Sequence, residues 1–349
     1  MSRAVIRRIG VLSALMLAAL AGGWSIGRHW LPGLSPARSL DDARRAAFSG
    51  EADGVASFRA RLAESPDDAL RVELAEFLGR TDPLTALEEL RRIEPGSKQW
   101  PRAARLVAAY NLKLGRDYDA RPPLEALAGA SPGDAGVHLS LAEIAFRGAG
   151  YESALEEARR VDPTSPEVDL LIAECLDNLG RPAEMIAPLR RALELDPELL
   201  PAHLNLAYAL EKGGRPKEAL PHVERFLATI PESVQGNKLL AMIQWSQGER
   251  EEALSSIRRS RRTEPSNVSL AILEAEILLD LRRGKEAFDL LAPFDGGWGY
   301  EPRFLKVFAA AARSSPRAGD QAEAERLERR LADVRTTASL SSAEPDTAT

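Results

Sequence analysis

Side chains that bind metals or act as nucleophiles are few in this sequence and are not grouped. The four histidines, His29, His138, His203 and His222, show neither an HExxH pattern nor cysteine–histidine spacing, so no metal site is predicted. His203 and His222 fall where they could meet across one helical hairpin. Cys175 is the single cysteine and lies in an apolar run, which indicates a buried thiol.

Patterns typical of enzyme active sites are also missing. The segment GGWGYEP (296–302) has the glycines of a loop but lacks the lysine of a phosphate loop. Acid pairs such as Asp67 and Asp68 fall at predicted helix starts, where carboxylates interact favourably with the helix dipole. No GxSxG motif is present. The sequence therefore predicts a protein that is not an enzyme and binds no cofactor.

The elements that carry these residues are predicted to be helices. Hydrophobic residues make up 44% of the sequence but aromatic residues only 5%, which favours helices packed through alanine and leucine over strands. The net charge is −6, with acids and bases interleaved. This pattern offers no concentrated positive field, so nucleic acid is not predicted as a partner.

The N-terminal segment, residues 1–30, is predicted to be a membrane anchor or a signal peptide. Arg3, Arg7 and Arg8 precede a stretch without charges from Ile9 to Ile26, which as a helix is about 27 Å long and just spans a bilayer core. The motif Ala19-Leu20-Ala21 resembles a cleavage site. In both cases the arginines stay in the cytoplasm and the rest of the chain is exported.

A period of 34 residues runs through the middle of the chain. Prolines that close a helical stretch recur at Pro163, Pro197, Pro231 and Pro265. Small residues recur in pairs twelve positions apart, as expected where two antiparallel helices cross closely. The pairs are Ala108 and Ala120, Ala142 and Ala154, Ala173 and the larger Met185, Ala207 and Ala219, Ala241 and Ala253, and Ala275 and Ala287.

Glycines mark the turn inside each predicted hairpin. Gly115, Gly180, Gly214 and Gly248 each stand five positions before the second member of a pair, where glycine provides a left-handed cap for the first helix. Proline follows in Arg181-Pro182 and Arg215-Pro216 and is tolerated in a first helical turn. The sequence thus predicts where each second helix begins.

These features resemble the tetratricopeptide repeat family. The resemblance implies an all-α fold, an α-solenoid of stacked antiparallel helix-turn-helix repeats over residues 40–335, after a linker at 31–39 and before a disordered tail at 336–349. A less regular α-solenoid is the alternative. Asp169, His203 and Asn237 stand where the family often has tryptophan. The copies are 67–95, 101–132, 135–163, 166–197, 201–231, 233–265, 268–294 and 302–334.

The family binds its ligands in a concave groove lined by the first helix of each repeat. Transferring that face to this sequence predicts a partner-binding groove whose acidic residues accept a basic or amphipathic protein segment. Its predicted residues are Glu143, Phe146, Glu174, Asp177, Asn205, Tyr208, Glu211, Lys238, Met242 and Trp245, and the transfer adds Ile272 and Glu276 in the next copy.

The strongest run of charge is Arg258, Arg259, Arg261 and Arg262. It ends a second helix, where cations complement the helix C-terminus, so a solvated structural role is predicted. Contact with an anionic lipid surface is the alternative.

The sequence as a whole predicts a protein–protein interaction scaffold of the cell envelope, either tethered to the membrane or exported to the periplasmic side. Two other functions stay open. One is an assembly factor for a secreted or cytochrome-maturation complex, and the other is a non-catalytic subunit of an enzyme complex.

Overall fold

The computed structural model describes residues 40–49, 54–161, 165–315 and 319–341. Within these ranges the regular structure is helical, without strands. None of the helices in the described ranges combines the length and apolar character needed to cross a bilayer. The predicted anchor or signal at 1–30, the linker at 31–39 and Pro163 lie outside the described residues.

The chain divides into two compact units, Met1–Pro132 and Gly133–Thr349. In the first unit, consecutive helices pack as hairpins around a core that includes Phe58, Val72 and Leu74. Its helices are α1 (Leu40–Ser49), α2 (Gly54–Glu64), α3 (Asp68–Leu78), α4 (Pro83–Leu90), α5 (Trp100–Lys113) and α6 (Asp117–Ala130).

The second unit continues the same pattern of paired helices. Its helices are α7 (Ala135–Arg147), α8 (Tyr151–Ala158), α9 (Pro166–Asn178), α10 (Pro182–Leu195), α11 (Leu200–Lys212), α12 (Pro216–Thr229), α13 (Val234–Ser246), α14 (Arg250–Thr263), α15 (Val268–Asp280), α16 (Gly284–Leu291), the short α17 (Asp295–Trp298), α18 (Pro302–Ser314) and α19 (Asp320–Ser341). Helix α19 continues past residue 335, where the sequence placed the start of the tail.

The small residues predicted at the helix crossings are buried. Ala207 and Ala219 have no exposed surface, and neither do Ala241 and Ala253. Met185, the one large member of a pair, is buried as well. Because small side chains let two helices approach closely, these pairs account for the tight hairpins, and the predicted fold class is confirmed.

The turn inside each hairpin has the left-handed backbone that the glycines predicted. The angle φ is +69° at Gly115, Gly180 and Gly214 and +86° at Gly248. After Gly180, the Arg181 N–H donates to the Leu176 carbonyl at 2.8 Å. This bond satisfies a carbonyl that would otherwise be left without a partner at the helix end.

Two turns take the same conformation without glycine. The angle φ is +58° at Ala149 and +60° at Arg282, and both residues stand five positions before the second crossing residue, as the glycines do. The closing bond is also retained, since the Arg283 N–H donates to the Leu278 carbonyl at 2.8 Å. A residue with a side chain in this region carries about 1–2 kcal/mol of backbone strain.

The predicted boundaries of the second helices agree with the structure. Helices α10 and α12 begin at Pro182 and Pro216. Pro197 and Pro231 follow the ends of these two helices within two residues. Proline thus opens and closes these helices at the positions where its missing N–H is tolerated.

Polar residues replace the family's tryptophan on four successive first helices. His138, Asp169, His203 and Asn237 each stand four residues, about one helical turn, before the crossing alanine. Each is bonded to the second helix of its own hairpin. His138 Nδ1 lies 2.6 Å from Glu157 Oε2, and Arg191 Nε donates to Asp169 Oδ2 at 3.2 Å. The Nδ1 atoms of His203 and His222 are in contact, and Arg259 Nε donates to Asn237 Oδ1 at 2.8 Å.

Two of these residues also bind the proline that closes the preceding repeat. His203 Nε2 lies 3.0 Å from the Pro197 carbonyl, and Asn237 Nδ2 donates to the Pro231 carbonyl at 2.7 Å. These hydrogen bonds connect neighbouring repeats.

The arginine run of α14 is partly solvated, with Arg258 and Arg262 exposed, but its side chains are also paired with neighbouring helices. Arg258 Nε and Arg261 Nη1 donate to the two oxygens of Glu274 at 2.7 Å each. Glu274 belongs to α15 and is only 3% exposed. Arg259 binds Asn237, so three of the four arginines hold α14 to its neighbours. The pairing with Glu274 was not predicted, because Glu274 lies on the following hairpin, which the local sequence of the run does not reveal.

Candidate functional site

A cleft of about 780 Å³ opens along the first helices of the second unit. Side chains of α9, α11, α13, α15 and α18 line it, so it exists only when successive hairpins are stacked. The lining residues are Asp177, Leu204, Asn205, Tyr208, Glu211, Lys212, Gln235, Lys238, Leu239, Met242, Trp245, Ser246, Ser269, Leu273 and Arg303.

The floor of the cleft is apolar. Leu239 and Leu273 are buried, whereas Leu204 and Met242 are half-buried and rest on the hydrophobic core. Because the core beneath is closely packed, these side chains have a fixed place and present apolar surface to the solvent. A ligand with apolar groups would gain free energy by covering them.

Tyr208 is half-buried on the wall formed by α11. Burial raises the pKa of its phenol most, and the nearby charge of Asp177 raises that pKa further. On the ring side, Lys212 Nζ lies 5.7 Å from the ring centroid, within the range of a cation–π contact. Lys212 Nζ also lies 3.3 Å from Glu211 Oε2. The ring of the tyrosine is thus in contact with a cation at the edge of the cleft.

Trp245 occupies the equivalent wall on α13 and packs partly on the core. Its Nε1–H donates to Asp280 Oδ2 at 3.1 Å, and Arg250 Nε donates to the same oxygen. These two bonds, that of Trp245 first, lower the pKa of Asp280. The polar edge of the indole is therefore satisfied inside the protein, and the ring remains for apolar contact.

Some charged side chains of the cleft form ion pairs within the protein, and others do not. Arg303 is held by Glu276 through bonds of 3.3 and 2.8 Å. Lys238 forms no hydrogen bond or ion pair with the residues that the structure describes, and Asp177 forms no ion pair with them. Asp177 and Lys238 are thus the two charges of the cleft wall available to a ligand.

Seven of the ten predicted groove residues line this cleft, and three do not. The seven are Asp177, Asn205, Tyr208, Glu211, Lys238, Met242 and Trp245. Glu143 is exposed on α7, and the ring of Phe146 packs edge-to-face on Tyr151 with centroids 5.5 Å apart. Glu174 is half-buried on α9, and burial raises its pKa.

On α15 the transferred face is shifted from the one observed. Ser269 and Leu273 line the cleft, whereas Ile272 is buried in the core and Glu276 is bound to Arg303. Arg303 itself was not predicted, because the last copy, 302–334, carries few of the repeat's signals. The sequence feature that could have pointed to Arg303 is a basic residue at the start of a predicted first helix.

The other residues considered for chemistry lie away from the cleft. Cys175 is buried, and burial first, then the charge of Glu174, raises the pKa of its thiol to about 11, so the thiol stays protonated. His203 and His222 meet as predicted, with their Nδ1 atoms 2.9 Å apart. Burial, then the charges of His203 and Arg190, lowers the pKa of His222.

The fold and the cleft define a class of protein, an α-solenoid of stacked antiparallel helix-turn-helix repeats. Residues 139–199 match the family described as tetratricopeptide repeat. The matched range includes α9, α10 and most of the preceding hairpin. No curated protein sequence matches this chain significantly.

Three solved structures are similar to part of this chain. PilW, a widely conserved type IV pilus biogenesis factor, is 23% identical with a TM-score of 0.49, over 60% of this chain and 99% of PilW. MamA from Desulfovibrio magneticus RS-1 is 19% identical with a TM-score of 0.44, over 46% and 92%. YrrB, a TPR protein with an unusual peptide-binding site, is 16% identical with a TM-score of 0.38, over 61% and 95%.

Proposed function

We propose that this protein is an interaction scaffold that binds a segment of another protein in the cleft of its second unit. The observation that carries the proposal is the group formed by Tyr208, Met242 and Trp245, which line one cleft and are each only partly buried. Aromatic residues and methionine on a concave surface are the side chains that most often anchor a protein partner.

The rigidity of these side chains supports the proposal. Trp245 donates a hydrogen bond to Asp280, and the ring of Tyr208 lies against Lys212. A surface whose rotamers are already fixed loses little conformational entropy when a partner binds. The cleft is therefore arranged for binding before the partner arrives.

The charges of the cleft support a basic or amphipathic partner segment. Asp177 lines the same cleft as Tyr208 and can accept a lysine or arginine of the partner. The apolar floor made by Leu204 and Leu239 takes the apolar side of such a segment. Neither catalysis nor a cofactor is required for this role.

The proposed location is the cell envelope. Arg3, Arg7 and Arg8 ahead of the uncharged stretch from Ile9 to Ile26 support an N-terminal segment that tethers the repeats to the membrane or directs their export. A topology reporter fused after Thr349 tests this location. Activity of a reporter that works only in the cytoplasm would contradict it.

Capture of partners from the native membrane fraction tests the binding function. The double variant Tyr208→Ala with Trp245→Ala should lose the partners that the wild-type protein retains, because a buried anchor contributes about 2 kcal/mol or more, roughly thirtyfold in Kd. Tyr118→Ala, which removes an aromatic side chain that is 88% exposed on α6, is the matched control and should retain them.

Folding must be checked in parallel, since both anchors also touch the core. Circular dichroism should show equal helix content in the two variants. Asp177→Lys is a second test that leaves the core intact, and it should weaken capture most at low salt. Wild-type capture by both cleft variants would refute binding in the cleft.

A further inference from the structure

The cleft separates its unbalanced charges by sign along the stack. Asp177 on α9 is the negative one and Lys238 on α13 is the positive one, with α11 between them. The other charges of the cleft wall are neighboured by opposite ones: Glu211 by Lys212 at 3.3 Å, and Arg303 by Glu276 at 2.8 Å. Within the described part of the chain, the electrostatic field of the cleft thus points from α13 towards α9.

The distance between these charges follows from helix packing. Neighbouring helices pack with axes about 8–10 Å apart, so first helices on either side of α11 are separated by roughly 16–20 Å across the stack. Asp177 is near the end of α9 and Lys238 is near the start of α13, which adds roughly 10 Å along the helix axis and gives a span of roughly 19–23 Å. An extended chain rises about 3.3 Å per residue and covers that span with about six or seven residues. The surface between the two charges is the apolar part of α11, with Leu204 and Tyr208.

We infer that the cleft selects a charge-segregated segment in one direction: a basic residue at the α9 end, apolar residues over α11, and an acidic residue at the α13 end. The inference rests on the proposed function and names the chemistry of the partner. A segment of the same composition with its charges interleaved places like charges against Asp177 or Lys238 and loses the match.

Synthetic peptides test this selection with the purified full-length protein. Three peptides with blocked ends share an apolar centre: one has lysines at one end and glutamates at the other, one has the same residues interleaved, and one has only lysines. Fluorescence anisotropy at low salt should show the segregated peptide binding roughly three- to tenfold more tightly than the interleaved peptide.

Variants assign the selectivity to the cleft. Lys238→Glu should remove the advantage of the segregated peptide and strengthen binding of the lysine-only peptide. Lys217→Glu makes the same change of charge at an exposed position of α12 and should leave the order of the peptides unchanged. A photoreactive group on the lysine end of the segregated peptide should label α9 or α11.

Four results would overturn the inference. Equal binding of the segregated and interleaved peptides, lost in Tyr208→Ala, would leave the proposed function standing and refute the charge selection. An advantage that survives Lys238→Glu, or labelling of α18 by the lysine end, would refute the assignment to Asp177 and Lys238. Absence of binding by all three peptides would refute the segment chemistry, and capture of membrane partners would decide the proposed function separately.

Discussion

The left-handed turn at Ala149 gives a sharp test of the repeat geometry. Replacing Ala149 with glycine should stabilise the protein, although it removes a side chain. The native φ is +58°, which costs an L-residue about 1–2 kcal/mol. Glycine avoids that strain but loses about 0.5–1 kcal/mol more conformational entropy on folding. We expect a net gain of about 0.5–1 kcal/mol.

Urea denaturation measures this difference. With a dependence on urea of about 2 kcal/mol per molar, a gain of 0.5–1 kcal/mol moves the midpoint up by roughly 0.3–0.5 M. Gly214→Ala should move it down by a similar amount, because φ there is +69° and a Cβ would have no neighbour within 4 Å. Backbone strain is therefore the main change in both variants.

Gly133→Ala is the control for the unfolded chain. Gly133 also has open space around it but is not in the left-handed region, so alanine there should stabilise slightly through the lower entropy of the unfolded state. A Gly214→Ala variant that is as stable as Gly133→Ala would refute the reasoning. So would an Ala149→Gly variant that is less stable than the wild-type protein.

Two further predictions concern polar groups between helices. Glu274→Gln should lower the free energy of unfolding by about 1–3 kcal/mol in urea titrations. This loss is smaller than for a fully buried ion pair, because Arg258 and Arg261 keep part of their surface in water. An unchanged urea midpoint would contradict the prediction. The lowered pKa of His222 means that the unfolded chain binds its proton more readily, so this contribution to stability is complete above about pH 6.5 and is lost as the pH falls through the folded pKa. Urea midpoints at several pH values should show this loss, and His222→Gln should reduce it; equal slopes in the two proteins would contradict it.

The repeat pattern was readable from the sequence where it depended on residue size and on glycine. Paired small residues and turn glycines at a fixed spacing are typical of stacked helical hairpins, and they located the hairpins from 67 onward. The glycine signal is missing from two turns that adopt the left-handed conformation without glycine. Ala149 and Arg282 occupy the same turn position, because the closing hydrogen bonds impose the conformation on whichever residue stands there.

The predicted solenoid includes the hairpin of α1 and α2, but no repeat copy was assigned to it, and its geometry explains why. The close approach is made by Gly54, the first residue of α2, where a Cβ would overlap the Ala46 carbonyl oxygen. Ala46 and Gly54 are eight positions apart, whereas the other hairpins cross at residues twelve apart. A search for the longer interval passes over this pair.

Part of the site was predicted because the repeat spacing identifies equivalent positions on the first helix of each copy. Which residues of that face meet in a cleft depends on contacts that register does not encode. Phe146 packs on Tyr151 instead, and Glu276 is bound by Arg303 from another hairpin. The first contact lies within one hairpin and the second joins two hairpins, and neither follows from the position of a residue on its own helix.

Photo-crosslinking from inside the cleft tests the central claim most directly. A photoreactive amino acid placed at Met242, in the cleft between Tyr208 and Trp245, should form a covalent adduct with the partner in the native membrane fraction. The same amino acid at Lys217, exposed on α12, should form none. Adducts from position 217 with none from position 242 would place the partner outside the cleft and contradict the account.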